Sequence, residues 1–184
     1  MKLTAPLLSP AEGRTLCDFA RAVIGAALAR TAPPPLPEGI PALRAPGSCF
    51  VTLHLNRELR GCIGSVEPFE PLGENLRRNA LNAAFHDPRF APLSADEFPL
   101  TELELSVMGP PEPIPGPDAF IPGEHGIILS LFGHRALFLP QVATEQGWDR
   151  ETTLDFLARK AGFAGNAWRS RDARFFVFKT EIFK

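Results

Sequence analysis

The segment Cys49–Ser65 constrains the fold most strongly, because it alternates apolar and polar residues on both sides of a short turn. Residues 50–55 place valine and two leucines at every second position, and residues 59–64 repeat an alternation of the same period. A period of two residues is typical of a half-buried β-strand. The segment therefore predicts a β-hairpin.

The position of the turn follows from the requirement that the apolar residues of both strands share one face. A two-residue turn at Asn56-Arg57 would place His54 opposite Leu59 and mix the two faces. We therefore expect a turn centred on Arg57. This register pairs Leu55 with Leu59, Leu53 with Gly61 and Val51 with Ile63 on one face, and His54 with Arg60 and Thr52 with Cys62 on the other.

The polar face of this predicted hairpin gathers a thiol, an imidazole and a guanidinium. Cross-strand neighbours lie about 5 Å apart, which would bring His54 and Arg60 close to Cys62. Positive groups beside a thiol favour the thiolate, so one interpretation is a reactive Cys62. In the other, Cys62 is packed as a small apolar residue, and Gly61 and Gly64 make room for a helix.

A second group of chemically active residues lies at the end of a predicted helix. Apolar residues recur every four positions over 72–84, which predicts a helix from Pro71 to about His86. The stretch His86-Asp87-Pro88-Arg89 then places an imidazole, a carboxylate and a guanidinium close together. These groups would either cap the helix and hold the loop through an Asp–Arg pair, or contribute to a functional site.

The remaining patterns alternate helices with strands. Ser9-Pro10-Ala11-Glu12 is a capping box that starts a helix ending near Thr31. The other predicted elements are a strand at 101–108, a hairpin at 127–139 that turns at Gly133-His134, a short helix at 140–147, a helix at 152–161 and a strand at 173–183. This order predicts an α+β fold with a mainly antiparallel sheet flanked by helices.

Composition and charge exclude several classes of protein. The chain has 184 residues, 45% of them hydrophobic, which suffices for one core or two small subdomains. The net charge of −2 argues against nucleic-acid binding, and we interpret the basic segments Arg77-Arg78 and 169–174 as solvated faces.

Membrane, metal and secretory features are weak in this sequence. No apolar run approaches the roughly 20 residues needed to span a bilayer, and residues 1–10 lack the apolar core of a signal peptide. The four histidines never stand four residues apart, so no local metal motif is expected. Three dispersed cysteines fit a reducing compartment, and we therefore expect a cytoplasmic protein.

The hexapeptide Leu59-Arg60-Gly61-Cys62-Ile63-Gly64 resembles the signature of the AMMECR domain family, whose bacterial and archaeal members are called AmmeMemoRadiSam system protein A. The resemblance covers nearly the whole chain. In order, it also includes Phe50–Leu53, Ala83–Phe90, Leu105–Val107, His125-Gly126, Leu139–Val142, Gly147–Asp149, Lys160–Gly162 and Trp168.

The resemblance implies a single AMMECR-type domain over residues 1–184, with two unequal, intertwined subdomains and a groove between them. It implies that the hexapeptide lines functional surface, and the naming of the family implies Memo-like and radical SAM proteins as partners. No reaction or cofactor is implied. Family members often carry a cysteine where this chain has Ala158, so a mechanism that needs this second thiol is in doubt here.

Two functional hypotheses follow. In the first, the chain is an enzyme in which Cys62 is the nucleophile or redox thiol and His54 or His86 activates it. In the second, it is a non-catalytic module that binds a ligand or a partner. The residues expected to bind a substrate or ligand are His54, Arg60, Gly61, Gly64, Asp87, Arg89, His125 and Gln141.

Overall fold

The computed structural model describes residues 7–184. Residues 1–6, which belong to the segment expected to lack a signal peptide, lie outside the described part. The chain divides into two compact units. The first comprises the residues up to Met108 together with Glu181–Lys184, and the second comprises Gly109–Thr180. The second unit is therefore inserted in the sequence of the first.

The described elements alternate between helices and short strands. The helices are α1 (Pro10–Ala29), α2 (Leu72–Phe85), α3 (Pro140–Gln146) and α4 (Arg150–Lys160). The strands are β1 (Ser48–Leu55), β2 (Glu58–Gly64), β3 (Thr101–Met108), β4 (Glu112–Ile114), β5 (Gly126–Leu131), β6 (His134–Phe138), β7 (Arg174–Phe178) and β8 (Thr180–Phe183). Two four-stranded sheets with antiparallel pairing confirm the predicted α+β class.

The predicted capping box starts α1. The Ser9 hydroxyl accepts a hydrogen bond from the Glu12 amide at 3.3 Å, and the Glu12 carboxylate accepts one from the Ser9 amide at 2.7 Å. These two bonds satisfy amide groups that have no partner within the helix. The helix ends at Ala29, two residues before the predicted end near Thr31.

The sheet of the first unit has the strand order β2-β1-β3-β8, so β2 is an edge strand. Val51 and Leu53 on β1 and Leu105 on β3 are at most 1% exposed and belong to a core that includes buried residues of α1 and α2. This face is the one whose alternation the sequence predicts. The polar face of the sheet carries Thr52 and His54 of β1 and Cys62 of β2.

The predicted register of the β1–β2 hairpin is correct in the part away from the turn and wrong near the turn. Val51 faces Ile63, Leu53 faces Gly61 and Thr52 faces Cys62, as predicted. Closer to the turn, however, His54 faces Leu59 and Leu55 faces Glu58, so the predicted pairs Leu55–Leu59 and His54–Arg60 do not form.

A β-bulge explains the difference. The turn has two residues, Asn56 and Arg57, both with positive φ (53° and 67°), and the register shifts by one residue at Leu53/His54. Arg60 is the extra residue on β2. The bulge accommodates both the short turn and the apolar register, which the sequence analysis treated as exclusive.

The second unit contains the sheet β4-β7-β5-β6, and its core packs Leu129 and Leu131 of β5 against Leu154 and Leu157 of α4. The hairpin β5–β6 turns at Phe132-Gly133, one residue earlier than predicted, and Gly133 has φ 82°. The short helix after Pro140 is confirmed as α3.

The predicted single strand at 173–183 is two strands. β7 pairs with β4 and β5 in the second sheet, and β8 joins the first sheet beside β3. The strand β4 lies in the proline-rich stretch 110–122, where the sequence analysis predicts no helix or strand. Within residues 7–184, none of the helices has the length and apolar character needed to cross a membrane.

Candidate functional site

Gly61 sits where β2 meets α2. A Cβ atom on this residue would clash with the backbone oxygen of Ala83, near the end of α2. Gly64 lies beside Phe50 on the other face, and a Cβ atom there would overlap the Phe50 ring. The interpretation that Gly61 makes room for a packed helix is therefore confirmed, since only glycine permits this approach.

The outer edge of β2 is covered at Cys62 by two side chains from the loop after α2. The Cys62 amide donates to Asp87 Oδ2 at 2.9 Å, and Arg89 Nη2 donates to the Cys62 carbonyl oxygen at 3.1 Å. In an antiparallel strand the N–H and C=O of one residue point to the same side. Asp87 and Arg89 thus take the place of a neighbouring strand at this one position.

Asp87 is the centre of this arrangement. It is 4% exposed, and the Arg89 side chain donates to both of its oxygens, at 2.9 and 2.7 Å. These hydrogen bonds, helped by the amides of Cys62 and Arg89, hold the pKa of the Asp87 carboxyl far below its ordinary value, against the effect of burial. The predicted Asp–Arg pair that holds the loop is therefore confirmed.

Arg60 is held by a second carboxylate. Its Nε and Nη2 donate to the two oxygens of Glu97 at 3.0 Å each, and the Arg60 side chain is 12% exposed. The hydrogen bond from Arg60, together with one from the Ser94 amide, lowers the pKa of Glu97 to about 2. A bidentate pair of this kind fixes the orientation of the guanidinium.

Phe90 connects the two arginines. The guanidinium carbons of Arg60 and Arg89 lie 5.9 and 5.5 Å from the centroid of its half-buried ring, within the range of cation–π attraction. We call Arg60, Arg89 and Phe90 the arginine–phenylalanine surface. Two carboxylates, Asp87 and Glu97, position its two cations.

The Cys62 thiol is half-buried on the polar face of β2. Thr52 Oγ1, on the facing strand, donates to Cys62 Sγ at 3.3 Å. Among the described residues, no histidine forms a hydrogen bond with this sulfur. The hydrogen bonds to Asp87 raise the pKa of the Arg89 guanidinium, and its Nη2 lies 3.1 Å from the carbonyl oxygen of Cys62.

The other two cysteines lie in the core. Cys17 is 6% exposed and Cys49 is fully buried, and burial raises the pKa of their thiols to about 11 and about 12. Both are free. The partly exposed Cys62 is thus the most accessible thiol of the chain.

The two histidines expected to activate Cys62 make other contacts. His54 faces Glu102 of β3 and lines a cavity of about 360 Å³ together with Arg14, Cys17 and Asp18 of α1. His86 is exposed and directly follows α2 as its C-cap residue. Its amide donates to the Asn82 carbonyl, which agrees with the helix-cap interpretation.

His125 and Gln141, the remaining expected binding residues, belong to the second unit. His125 is 2% exposed, its Nδ1 accepts a hydrogen bond from the Ile121 amide at 3.3 Å, and burial lowers its pKa. Gln141 is half-buried in the first turn of α3. Within the first unit, the structure brings together Arg60, Cys62, Asp87 and Arg89, and His54 takes part in none of the contacts that join them.

Glu97 was not recognised as part of the site. Ser94-Ala95-Asp96-Glu97 has the spacing of a capping box, and the Ser94 amide does donate to Glu97 Oε2 at 2.9 Å. That signal would have located the carboxylate at a turn, but not its partner Arg60, 37 positions away in the chain. No cluster of three or more His, Cys, Asp or Glu side chains suited to a metal ion occurs among residues 7–184.

Comparison with known proteins gives a consistent result. The AMMECR1 family model matches residues 17–183. A protein of Methanothermobacter thermautotrophicus is 39% identical over 96% of this chain and 95% of its own, and Protein MJ0810 of Methanocaldococcus jannaschii is 38% identical over 97% and 92%. The crystal structure of uncharacterized protein PH0010 from Pyrococcus horikoshii superposes with a TM-score of 0.83 at 33% identity, covering 96% of this chain and 93% of that one.

Proposed function

The chain belongs to the AMMECR1 family, and from that premise we propose that its arginine–phenylalanine surface binds a partner protein without a chemical step at Cys62. The bound segment carries a carboxylate group. Arg60 and Arg89 provide hydrogen-bond donors to this group, and Phe90 provides the apolar contact.

The observation that carries this proposal is the way in which both arginines are held. Each uses Nε and Nη2 on a carboxylate of the protein. Of the residues that the structure describes, none accepts a hydrogen bond from Nη1 of Arg60 or Arg89. These two amino groups are positioned before binding, so little conformational entropy is lost when they meet an acceptor.

The residue types also support a protein partner. Arginine and aromatic residues are enriched among those that dominate the binding free energy of protein interfaces. Leu59, next to Arg60 on the edge strand, is 42% exposed and can extend the apolar contact. Because Asp87 and Glu97 balance the two cations, the surface favours a defined acceptor geometry over a general attraction to anions.

The family resemblance makes Memo-like and radical SAM proteins the partners to test. The experiment is a pull-down in which each such protein, taken from the same organism, is captured with the immobilised chain. We expect capture by the wild type and its loss with Arg60→Ala. Glu97→Gln, which keeps the guanidinium but loosens its position, should weaken capture.

Arg44→Ala is the matched control, since Arg44 is an exposed arginine in a short helical turn of the same unit. It should capture the partner as the wild type does. The proposal fails if neither protein is captured, or if the control variant loses capture together with Arg60→Ala.

A second candidate function, thiol chemistry at Cys62, rests on the contact from Thr52 Oγ1 and on the nearby Arg89 guanidinium. Nucleophilic thiols commonly lie beside hydrogen-bonding and cationic side chains of this kind. Mass spectrometry of the Cys62 peptide measures its alkylation by iodoacetamide at pH 7. Slower alkylation in Arg89→Ala supports this candidate, and an unchanged or faster rate counts against it.

A further inference from the structure

The second unit contains a cavity of about 610 Å³, within the range of roughly 300–1,000 Å³ found for small-molecule sites. One wall is the proline-rich segment 113–117, and the other is the segment 168–176. Arg169, Arg171 and Arg174 line it, and no acidic residue does. These arginines are exposed, as the sequence analysis expects, and they line one side of a concave space.

Two of the three arginines are held in place. Arg174 Nη1 donates to the carbonyl oxygens of Arg171 and Ala173, at 2.9 and 3.2 Å. The Arg169 guanidinium lies 4.1 Å from the centroid of the Trp168 ring and 3.1 Å from Glu151. These contacts orient guanidinium groups at the cavity at little further cost in side-chain entropy.

The positive charge of the cavity is only partly balanced. The Arg169–Glu151 pair is exposed on both sides, at 54% and 68%, and water and salt weaken such pairs. Asp172 is exposed in the turn between Arg171 and Arg174. The side chain of Arg171 is exposed and makes no hydrogen bond to the described residues.

We infer that this cavity binds a phosphate-bearing small molecule, with Arg171 and Arg174 contacting the phosphate oxygens. Guanidinium groups match the geometry of phosphate, and their paired hydrogen bonds to it are strong. The prolines and the half-buried Phe176 form an apolar wall beside the cations. This wall suits the organic part of a phosphorylated compound.

Calorimetric titration of the full chain at low ionic strength tests this inference. The probes are inorganic pyrophosphate and ATP, which share phosphate chemistry and differ in the nucleoside. We expect both to bind. Tighter binding of ATP would show that the apolar wall contacts the nucleoside, and equal binding would show that the phosphate groups alone are recognised; either result supports the site.

Variants of the cavity arginines test whether the two probes bind in this cavity. Arg171→Ala with Arg174→Ala should weaken binding at least about tenfold, because the charge-assisted hydrogen bonds of both guanidinium groups to the phosphate are lost. Arg171→Ala alone should weaken it without affecting folding, since only the main-chain oxygen of Arg171 takes part in the turn.

The control for the double variant is Arg14→Ala with Arg44→Ala, which removes two exposed arginines of the first unit. It should bind both probes as the wild type does. If neither probe binds the wild type, or if the control weakens binding as much as the cavity variant, the inference is overturned.

Discussion

Asp87 is the residue on which the local structure of the candidate site depends. It accepts hydrogen bonds from three groups: the Cys62 amide of the edge strand β2, the Arg89 amide and the Arg89 side chain. An exposed strand edge invites pairing with other chains, and proteins commonly cover such edges. At this covered edge, Arg89 contacts Cys62 through the main-chain carbonyl oxygen of Cys62.

We predict that Asp87→Asn lowers the free energy of unfolding by about 1–3 kcal/mol at pH 7, because a buried charged acceptor is lost. Urea denaturation measures this change. The folded-state pKa of Asp87 is lowered, so its contribution is complete above the unfolded value, near 4, and is lost as the pH falls through the folded pKa.

The difference between wild type and Asp87→Asn should therefore narrow below pH 4. Asp96→Asn, at an exposed aspartate nearby, is the matched control and should leave stability unchanged. A difference of the same size at pH 7 and pH 2 would contradict the ionic role of Asp87.

The pKa of Glu97 reports directly on the position of the Arg60 guanidinium, because the hydrogen bond from Arg60 lowers it most. We expect a carbon-13 NMR titration to give a pKa of about 2 for Glu97 in the wild type. In Arg60→Gln its pKa should rise toward the ordinary value near 4.3, with a remaining decrease from the Ser94 amide. Arg44→Gln is the matched control and should leave the pKa of Glu97 at its wild-type value. An unchanged pKa of Glu97 in Arg60→Gln would show that the two side chains are not paired in solution.

At the scale of elements, the close approach of α2 to β2 places the loop that carries Asp87 and Arg89. Gly61 permits this approach because its missing Cβ leaves room for the Ala83 carbonyl. The Arg60 side chain, at the bulge, pairs with Glu97. Helix packing and strand irregularity together determine which side chains meet.

We predict that Gly61→Ala destabilises the chain by about 3 kcal/mol, since the new methyl group meets main-chain atoms that cannot rotate away. Urea denaturation gives the value. Gly116→Ala is the matched control: its φ is extended, at −177°, and no atom lies within 4 Å of the added Cβ. Equal stability of Gly61→Ala and the wild type would exclude the close packing of α2 on β2.

The hairpin turn gives a prediction of opposite sign. Arg57 has φ 67°, in the left-handed region that disfavours residues with a side chain. Arg57→Gly creates the Asn-Gly pair preferred in two-residue hairpins, and we expect it to raise the free energy of unfolding by about 0.5 kcal/mol. Arg57→Val should lower it. The reverse order in thermal denaturation would contradict the two-residue turn.

At the scale of the whole molecule, local patterns predicted most of the elements. The capping box at Ser9, the alternation of β1 and β3 and the helix stop before Pro88 depend on near neighbours, and all three are confirmed. The pairing of Thr52 with Cys62 was also predictable, because the apolar face of the hairpin determines its inner register.

Features that depend on distant partners were not predictable. The run 173–183 carries aromatic residues at positions of both parities, as one covered strand would, and its pattern does not show that β7 and β8 belong to different sheets. Glu97, the partner of Arg60, lies on a separate turn. The bulge at Arg60 combines the two-residue turn with the apolar register, which the sequence analysis treats as alternatives. Burial of His125 likewise follows from the packing of the second unit.

We propose that this AMMECR1-family chain recognises a partner through Arg60, Arg89 and Phe90, while the thiol of Cys62 is dispensable. Calorimetric titration of a captured Memo-like or radical SAM protein with Arg60→Ala and Cys62→Ala tests it most directly. We predict that Arg60→Ala weakens binding by at least about tenfold and that Cys62→Ala changes it by less than about threefold. Loss of binding with Cys62→Ala and retention with Arg60→Ala would contradict the claim.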